Sequence, residues 1–145
     1  MVFRKEESLQ LCLTICAFRH PSLSEQEYYD YMVYAPLVKP FMEKYGVLKY
    51  SMTHTFTSTK SLMGHIVDSQ FANIAEYDCV VQIVFRDIQY FVRMRKDPEY
   101  QRLVVPDHEV FADTKRSKMT IGYTQVLLEW GKFRRRWTTF AFVED

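Results

Sequence analysis

Apolar and polar residues alternate along four segments of the chain, and this pattern predicts four β-strands. The segments are residues 9–18, 47–57, 77–85 and 118–130, each rich in β-branched, aromatic or other apolar side chains. In the second segment Tyr50, Met52 and His54 share one face with other apolar residues, while the residues between them are polar. A period of two is typical of a strand with one buried face.

Helix-start and helix-stop residues separate these strands. Ser24 with Glu27 three positions later forms a capping-box pattern, which predicts a helix through the tyrosines that follow. We expect a break near Pro36, a resumption over residues 41–45 and an end at Gly46. In the helix, Tyr28, Tyr31 and Tyr34 are expected to lie along one side.

A second helical region follows the third strand. Asp87 is the expected cap of a helix over residues 88–96. Asp97-Pro98 favours a further short helix towards Val105, and the polar segment 106–109 favours a new helix start. Residues 57–75 have no clear period and predict a long loop with a helical turn at most. In a compact domain a loop of this length is usually either functional or a sign that its elements are assigned wrongly.

The predicted order, β-α-β-β-α-β, is that of the ferredoxin-like α+β fold, a four-stranded antiparallel sheet with helices on one face. A length of 145 residues fits a single domain over residues 1–145. We place its core at about residues 9–130 and an Arg- and aromatic-rich tail at residues 131–145. The second face of such a sheet needs a cover, and a second copy of the chain, a homodimer, is the economical one.

Composition and charge reduce the number of functional classes to which the chain can belong. A formal net charge of +1 argues against a nucleic-acid partner, and the absence of a long apolar segment argues against a membrane span. Without a leader-like N-terminal apolar region, a cytoplasmic location is expected. Aromatic residues make up 16% of the chain, which calls for a large core, a subunit interface or an apolar ligand pocket.

The histidines are the main candidates for chemistry, because an imidazole titrates near neutral pH. His54 is either a hydrogen-bonded core residue or a general base or acid in a cavity, and His65 could close a loop over a pocket. His108 lies between Asp107 and Glu109, where it serves either as a capping residue or as a catalytic imidazole oriented by Asp107. Their spacing matches no metal-ligand set, so no metal is expected, and common nucleotide and hydrolase motifs are missing.

Several segments together resemble the EthD-domain family. They are PSLSEQEYYDY at residues 21–31, YAPLV at 34–38 and DPEY at 97–100. The segments MTH at residues 52–54, FANIAEYDC at 71–79, PDHEVFAD at 106–113 and KMTIG at 118–122 resemble the fungal branch of that family. Its members are described as dehydratases or decarboxylases of aromatic polyketide pathways. One departure is that Tyr34 stands where the family usually has a histidine.

This resemblance implies a dimeric α/β barrel of two ferredoxin-like subunits, each with a pocket between sheet and helices. It implies a cofactor-independent lyase, a dehydratase or a decarboxylase, acting on a small aromatic polyketide of secondary metabolism. Relatives with this fold also include cyclases and cofactor-free oxygenases, so a cyclase, isomerase or oxygenase is an alternative. A non-catalytic dimeric protein that binds a small ligand is an alternative of another class.

On the lyase hypothesis we assign His54 as the base and His108, oriented by Asp107, as the acid. Tyr34 and Tyr50 are the expected polarising hydrogen-bond donors. The expected substrate-binding residues are His65, Tyr31, Met52, Phe56, Phe71 and Tyr123.

Overall fold

The structure is a computed structural model that describes residues 9–34 and 36–134. The most C-terminal part of the predicted Arg-rich tail, residues 135–145, lies outside the described residues. The main strands are β1 (Gln10–Ala17), β2 (Lys49–His54), β3 (Cys79–Phe85) and β4 (Lys118–Thr124). The helices are α1 (Glu25–Tyr34), α2 (Lys39–Lys44), α3 (Thr57–Lys60), α4 (Ile88–Lys96) and α5 (Pro98–Phe111). A hairpin of β5 (Leu128–Glu129) and β6 (Lys132–Phe133) follows.

The four main strands form one antiparallel sheet in the order β2-β3-β1-β4. This is the strand order of a ferredoxin-like fold, so the predicted fold class is confirmed. The register pairs Leu13 of β1 with Ile83 of β3 and with Ile121 of β4, which aligns the apolar residues of three strands on one face. That face packs against the helices and forms the core.

Helix α1 begins as the capping box predicts. The backbone N–H of Glu27 donates to Ser24 Oγ at 3.1 Å, and the backbone N–H of Ser24 donates to Glu27 Oε1 at 3.1 Å. Two otherwise unpaired donors are thus satisfied, and the first turn of the helix is fixed. The chain leaves α2 through Gly46, whose φ of +76° suits glycine.

The long segment after β2 is mostly irregular, as predicted. It contains only the short helix α3 and a 3₁₀ turn over Ser61–His65 before the chain reaches β3. Side chains near the tip, including Ile66 and Phe71, are exposed.

Two short helices were expected over residues 97–111, and this was wrong, because α5 is continuous and contains Pro106. Asp97 caps α5 through its side chain, as Asp87 caps α4. A proline within a helix removes one backbone hydrogen bond and usually breaks it. Here tertiary contacts hold the last turn, since the N–H of His20 donates to the carbonyl of Phe111 at 2.7 Å.

The last predicted strand was too long. The strand β4 ends at Thr124, and residues up to Arg134 form the β5–β6 hairpin instead. Its turn has positive φ at both Trp130 (53°) and Gly131 (75°), the pattern of the tight turn that joins two hairpin strands. Gly131 therefore reverses the chain here rather than ending a single strand.

Candidate functional site

A cavity of about 770 Å³ lies between the apolar face of the sheet and helices α1, α4 and α5. Its floor is built by strand residues such as Leu13, Ile15, Val81 and Ile83. These side chains share one face because alternate residues of paired strands point to the same side. The volume is in the range of cavities that hold small organic ligands.

Four rings from α1 and α5 form an aromatic wall on one side of the cavity: Tyr28, Tyr31, His108 and Phe111. Phe111 is the centre of this wall. Its ring stacks on Tyr31 at 6.1 Å between centroids, meets His108 edge-on at 6.1 Å and lies 6.4 Å from Tyr28. Such contacts hold each ring in one orientation, so the wall presents a fixed apolar surface to a flat ligand.

His108 is the one histidine among the residues described that lines this cavity. Burial lowers the pKa of His108, the Arg95 charge lowers it further, and the neighbouring Asp107 carboxylate raises it by less than burial lowers it. The imidazole is therefore neutral at physiological pH and has a free nitrogen lone pair. A neutral imidazole in an apolar cavity can accept a proton from a ligand.

Two phenol groups reach the same cavity from different elements, Tyr28 from α1 and Tyr50 from β2. Burial raises the pKa of Tyr50 to about 12 and raises that of Tyr28 further still. Both hydroxyls therefore keep their protons over the whole physiological range and act as hydrogen-bond donors.

Charged groups are few around the cavity. Arg95 of α4 and Asp107 of α5 are among the lining residues, and both belong to helices rather than to the sheet. The surface is thus apolar over most of its area, with one cation, one carboxylate, one imidazole and several hydroxyls at defined places. That distribution suits a ligand made of flat rings that carry a few oxygen atoms.

The structure brings together four of the predicted site residues. Tyr31, Tyr50, Asp107 and His108 all line the cavity. Their roles in catalysis or binding stay predictions.

His54, the expected base, lies elsewhere, although it is on the helix-facing side of β2. Its ring packs edge-on against Tyr29 at 4.7 Å and stacks on Phe56 at 6.2 Å. Burial lowers the pKa of His54. The strand parity that predicted its face was sound, but this end of β2 packs against Tyr29 of α1 and does not line the cavity.

The other predicted residues also lie outside the cavity lining. Tyr34 is 75% exposed, and its ring contacts Tyr29 at 6.2 Å, so the expectation that it continues the line of Tyr28 and Tyr31 was wrong. Met52 packs into the core. The remaining ones are exposed or packed apart from it: His65, Phe56, Phe71 and Tyr123.

Most of the lining residues were not among the predicted site residues, and Tyr28, Arg95 and Phe111 are the ones of them that bear most on the chemistry. The sequence contains a signal for Tyr28 and another for Arg95. Tyr28 is the first aromatic residue of the helix that the capping box predicts, and it directly follows Glu27 of that box. Arg95 is a charge on the otherwise apolar stripe of α4. Phe111 could not be placed, because Pro106 made its helix look interrupted.

Residues 9–34 and 36–134 contain neither a metal-binding cluster nor a membrane-spanning helix. They hold no cluster of three or more His, Cys, Asp or Glu side chains arranged to bind a metal ion. Within the same residues, no helix is both long enough and apolar enough to span a bilayer.

Comparison with known proteins agrees with this architecture. A Dabb family protein with a ferredoxin-like fold from Mesorhizobium loti superposes with a TM-score of 0.52 at 14% identity, over 81% of this chain and 99% of that chain. At that identity the likeness concerns the fold alone.

Curated relatives are much more similar in sequence. The conidial pigment biosynthesis dehydratase EthD of Metarhizium robertsii is 49% identical over 124 residues, 84% of this chain and 87% of that protein. The decarboxylase claH of Passalora fulva is 45% identical over 130 residues, 88% of this chain and 84% of that protein. Relatives at this identity and coverage support the prediction of a lyase enzyme.

The family model of the EthD domain matches residues 20–115. This range includes the long segment after β2 and the helices α1 and α5, which form the aromatic wall. Together with the identities to the curated relatives, this match shows that the chain belongs to the EthD-domain family.

Proposed function

We propose that this chain is a lyase that eliminates water from a polycyclic aromatic polyketide intermediate, and that it does so without a cofactor. The observation that carries the proposal is the position of His108, a neutral imidazole in the aromatic wall of an apolar cavity. The relatives named as a pigment dehydratase and as a decarboxylase support the reaction class.

The step begins when His108 removes a proton from a ring carbon next to a carbonyl group. The electron pair forms a carbon–carbon double bond, and the bond to the neighbouring hydroxyl breaks. The protonated imidazole then gives its proton to the departing hydroxide, so the products are the more aromatic ring and one water. Protons move and no net oxidation occurs, so side chains are sufficient for this chemistry.

Decarboxylation is the second candidate, because relatives carry that name and Arg95 offers a cation for a substrate carboxylate. It requires an acid that protonates the carbanion left when carbon dioxide departs. Because its pKa is lowered, His108 is neutral near pH 7 and begins the reaction with a lone pair to accept a proton and with no imidazolium proton to give to the carbanion. Dehydration is therefore the first choice.

Mass spectrometry distinguishes the candidates. A hydroxylated anthrone-type carboxylic acid is incubated with the purified protein and no added cofactor. We expect the loss of one water. Loss of carbon dioxide would replace dehydration by decarboxylation, an unchanged mass with a shifted retention time would indicate a cyclase or isomerase, and added oxygen an oxygenase. An unchanged substrate that is nevertheless bound would favour a non-catalytic binding protein.

We also infer that a second copy covers the open face of the sheet. A polar row runs across all four strands on that face, since Ser51 and Thr14 both pair with Gln82, and Thr14 also pairs with Thr120. Such a row can make hydrogen bonds to an identical row related by a two-fold axis. Sedimentation equilibrium should give twice the chain mass, and a monomer at micromolar concentration would contradict this inference.

A further inference from the structure

The cavity is open along strand β4. Ile121 pairs beside Leu13 on the helix-facing side of the sheet, and both residues line the cavity. Leu13 is buried beneath the helices, whereas Ile121 is 48% exposed and Met119, which also lines the cavity, is 67% exposed. The helices thus cover β1 but leave the cavity side of β4 exposed, and a ligand at this edge would stay in contact with water.

A second exposed apolar surface belongs to the β5–β6 hairpin, which follows β4. Trp130, at the tip of the hairpin, is 94% exposed. The other exposed apolar side chains of the hairpin and of the segment before it are those of Val126, Leu127, Leu128 and Phe133. An apolar surface of this size that faces water usually marks an interaction site.

The backbone at the tip gives an independent reason to assign a contact to Trp130. Its φ is +53°, and it is the one non-glycine residue with a positive φ among the residues described. A two-residue turn of this kind favours Asn or Asp before Gly, because a large side chain is disfavoured in the left-handed region. The turn therefore gives no reason for a tryptophan, whereas a contact of the indole with another molecule does. The cavity of the same chain does not supply that contact, since Trp130 does not line it.

We propose that the two exposed surfaces meet in a dimer, so that Trp130 of each copy closes the cavity of the other copy along β4. A two-fold axis forms this contact twice, once at each cavity, and leaves neither surface exposed. The active site is then shared between two chains and is incomplete in one. The inference rests on the proposed function only in taking this cavity as the active site.

The position of β4 allows this contact. Because β4 is an edge strand, a copy that packs on the open face of the sheet can reach the helix-facing side of β4 around that edge. A two-fold axis along the polar row of the open face sets the two β4 strands antiparallel, so the hairpin after one β4 lies beside the start of the other, near Met119. The chain from Thr124 to Trp130 can span about 20 Å, and stacked sheets lie about 10 Å apart.

The two surfaces are large enough for a stable dimer. A buried aromatic side chain covers about 150–250 Å². At their fractional exposures Tyr123, Trp130 and Phe133 therefore present about 450 Å², and the other exposed apolar side chains of β4 and the hairpin add a comparable area. The total is close to the roughly 800 Å² that each partner buries in a standard interface.

Sedimentation equilibrium of Trp130→Asn measures the contribution of the indole. Asparagine before Gly131 favours the same turn, so the hairpin is kept while its apolar tip is removed. The dissociation constant of the dimer should rise about thirtyfold or more, as expected for a tryptophan at the centre of an interface.

Two leucines give a matched pair of controls. Leu127 precedes the hairpin and is 63% exposed, and Leu62 of the long segment after β2 is 60% exposed. Leu127→Ala should weaken the dimer, whereas Leu62→Ala should leave its dissociation constant within a few-fold of the wild-type value. Equal effects of the two variants would contradict the proposed interface.

Cross-linking tests where Trp130 lies. A protein with both Met119→Cys and Trp130→Cys is treated with a short bis-maleimide and run on a denaturing gel. We expect a covalent dimer from this protein, and monomers from the wild type and from each single variant. A cross-link within one chain would show that the hairpin covers its own cavity, and the absence of any cross-link would show that Trp130 is remote from β4. Either result would overturn the inference.

These experiments do not depend on turnover, so this inference and the proposed function can fail separately. A wild-type protein that is monomeric at micromolar concentration, or a Trp130→Asn dimer as stable as the wild type, would overturn the inference even if the lyase reaction is observed. A dimer that is weakened by Trp130→Asn and cross-linked as expected, but converts no substrate, would uphold the shared cavity and refute the reaction.

Discussion

At the scale of single residues, the environment of each histidine decides what it can do. His54 and His108 both have pKa values lowered by burial, so protonation alone does not distinguish them. The positions of the two histidines distinguish them. His108 belongs to the cavity wall, whereas His54 packs against Tyr29 and Phe56. A general base must reach the proton that it removes, so geometry is the first criterion.

The lowered pKa of His108 predicts the acid limb of the pH profile. Only the neutral imidazole can accept the substrate proton, so kcat/KM should be constant near neutral pH and should fall as His108 becomes protonated. Because burial lowers the pKa, the midpoint should lie below the ordinary histidine value of about 6.5. Steady-state kinetics from pH 4.5 to 8 measures this midpoint.

His54→Gln is the control for this profile, because it removes the other histidine whose pKa is lowered. It should leave the midpoint where it is in the wild-type protein. A midpoint at or above the ordinary value, or one that disappears in His54→Gln, would show that another group than His108 controls the reaction.

At the scale of elements, one carboxylate joins three helices. Asp97 lies between α4 and α5 and caps the second through the N–H of Glu99 at 2.9 Å. Its Oδ2 accepts hydrogen bonds from Tyr45 Oη at 2.6 Å and from Lys44 Nζ at 3.1 Å, both at the end of α2. The two hydrogen bonds lower the pKa of Asp97 to about 2.

Asp97→Asn should therefore lower the melting temperature by several degrees at pH 7, because an amide nitrogen cannot accept these two hydrogen bonds. The folded pKa lies below the unfolded one, so the carboxylate stabilises the fold above pH of about 4, and this contribution is lost as the pH falls towards 2. The difference between variant and wild type should shrink over the same interval in thermal melts.

Asp87→Asn is the matched control for the melts. Asp87 caps α4 through a hydrogen bond from the N–H of Gln89 at 2.7 Å, and asparagine is an equally good cap. It should melt close to the wild type at every pH. An Asp97→Asn protein with the same pH-independent behaviour would show that the contacts with Tyr45 and Lys44 do not stabilise the fold.

The elements themselves were largely predictable from local patterns. Strand alternation and capping residues such as Ser24 and Asp87 depend on neighbours in sequence, and the structure has them where expected. The errors concern long-range effects. The end of helix α5, beyond Pro106, is held by the residues that follow β1, and no local pattern shows such support.

The site was predictable only in part, for the same reason. Strand parity placed Tyr50 and His54 on the helix-facing side of β2. Parity does not tell which of the residues on that side line the cavity. The two parts of β2 meet different aromatic side chains of α1. Tyr28 lines the cavity, as Tyr50 does, whereas Tyr29 packs against His54. Only the packed structure shows that separation.

At the scale of the whole molecule, the sheet and the helices α1, α4 and α5 surround a cavity lined by aromatic rings and a few polar groups. Tyr28 belongs to the helix that the capping box begins, and the end of α5, which is hydrogen-bonded to the residues after β1, carries His108 and Phe111. Residues that stabilise the fold and residues that face the ligand thus belong to the same helices. The central claim is that the lyase reaction takes place in this cavity with His108 as the proton carrier.

The most direct test compares turnover of the anthrone-type acid by His108→Ala and His54→Ala, two variants with the same chemical change at two half-buried histidines. His108→Ala should lose about a hundredfold or more in kcat, the usual contribution of a general base. His54→Ala should stay within a few-fold of the wild type once both proteins are shown to be folded. The reverse order, or equal losses in both variants, would contradict the account.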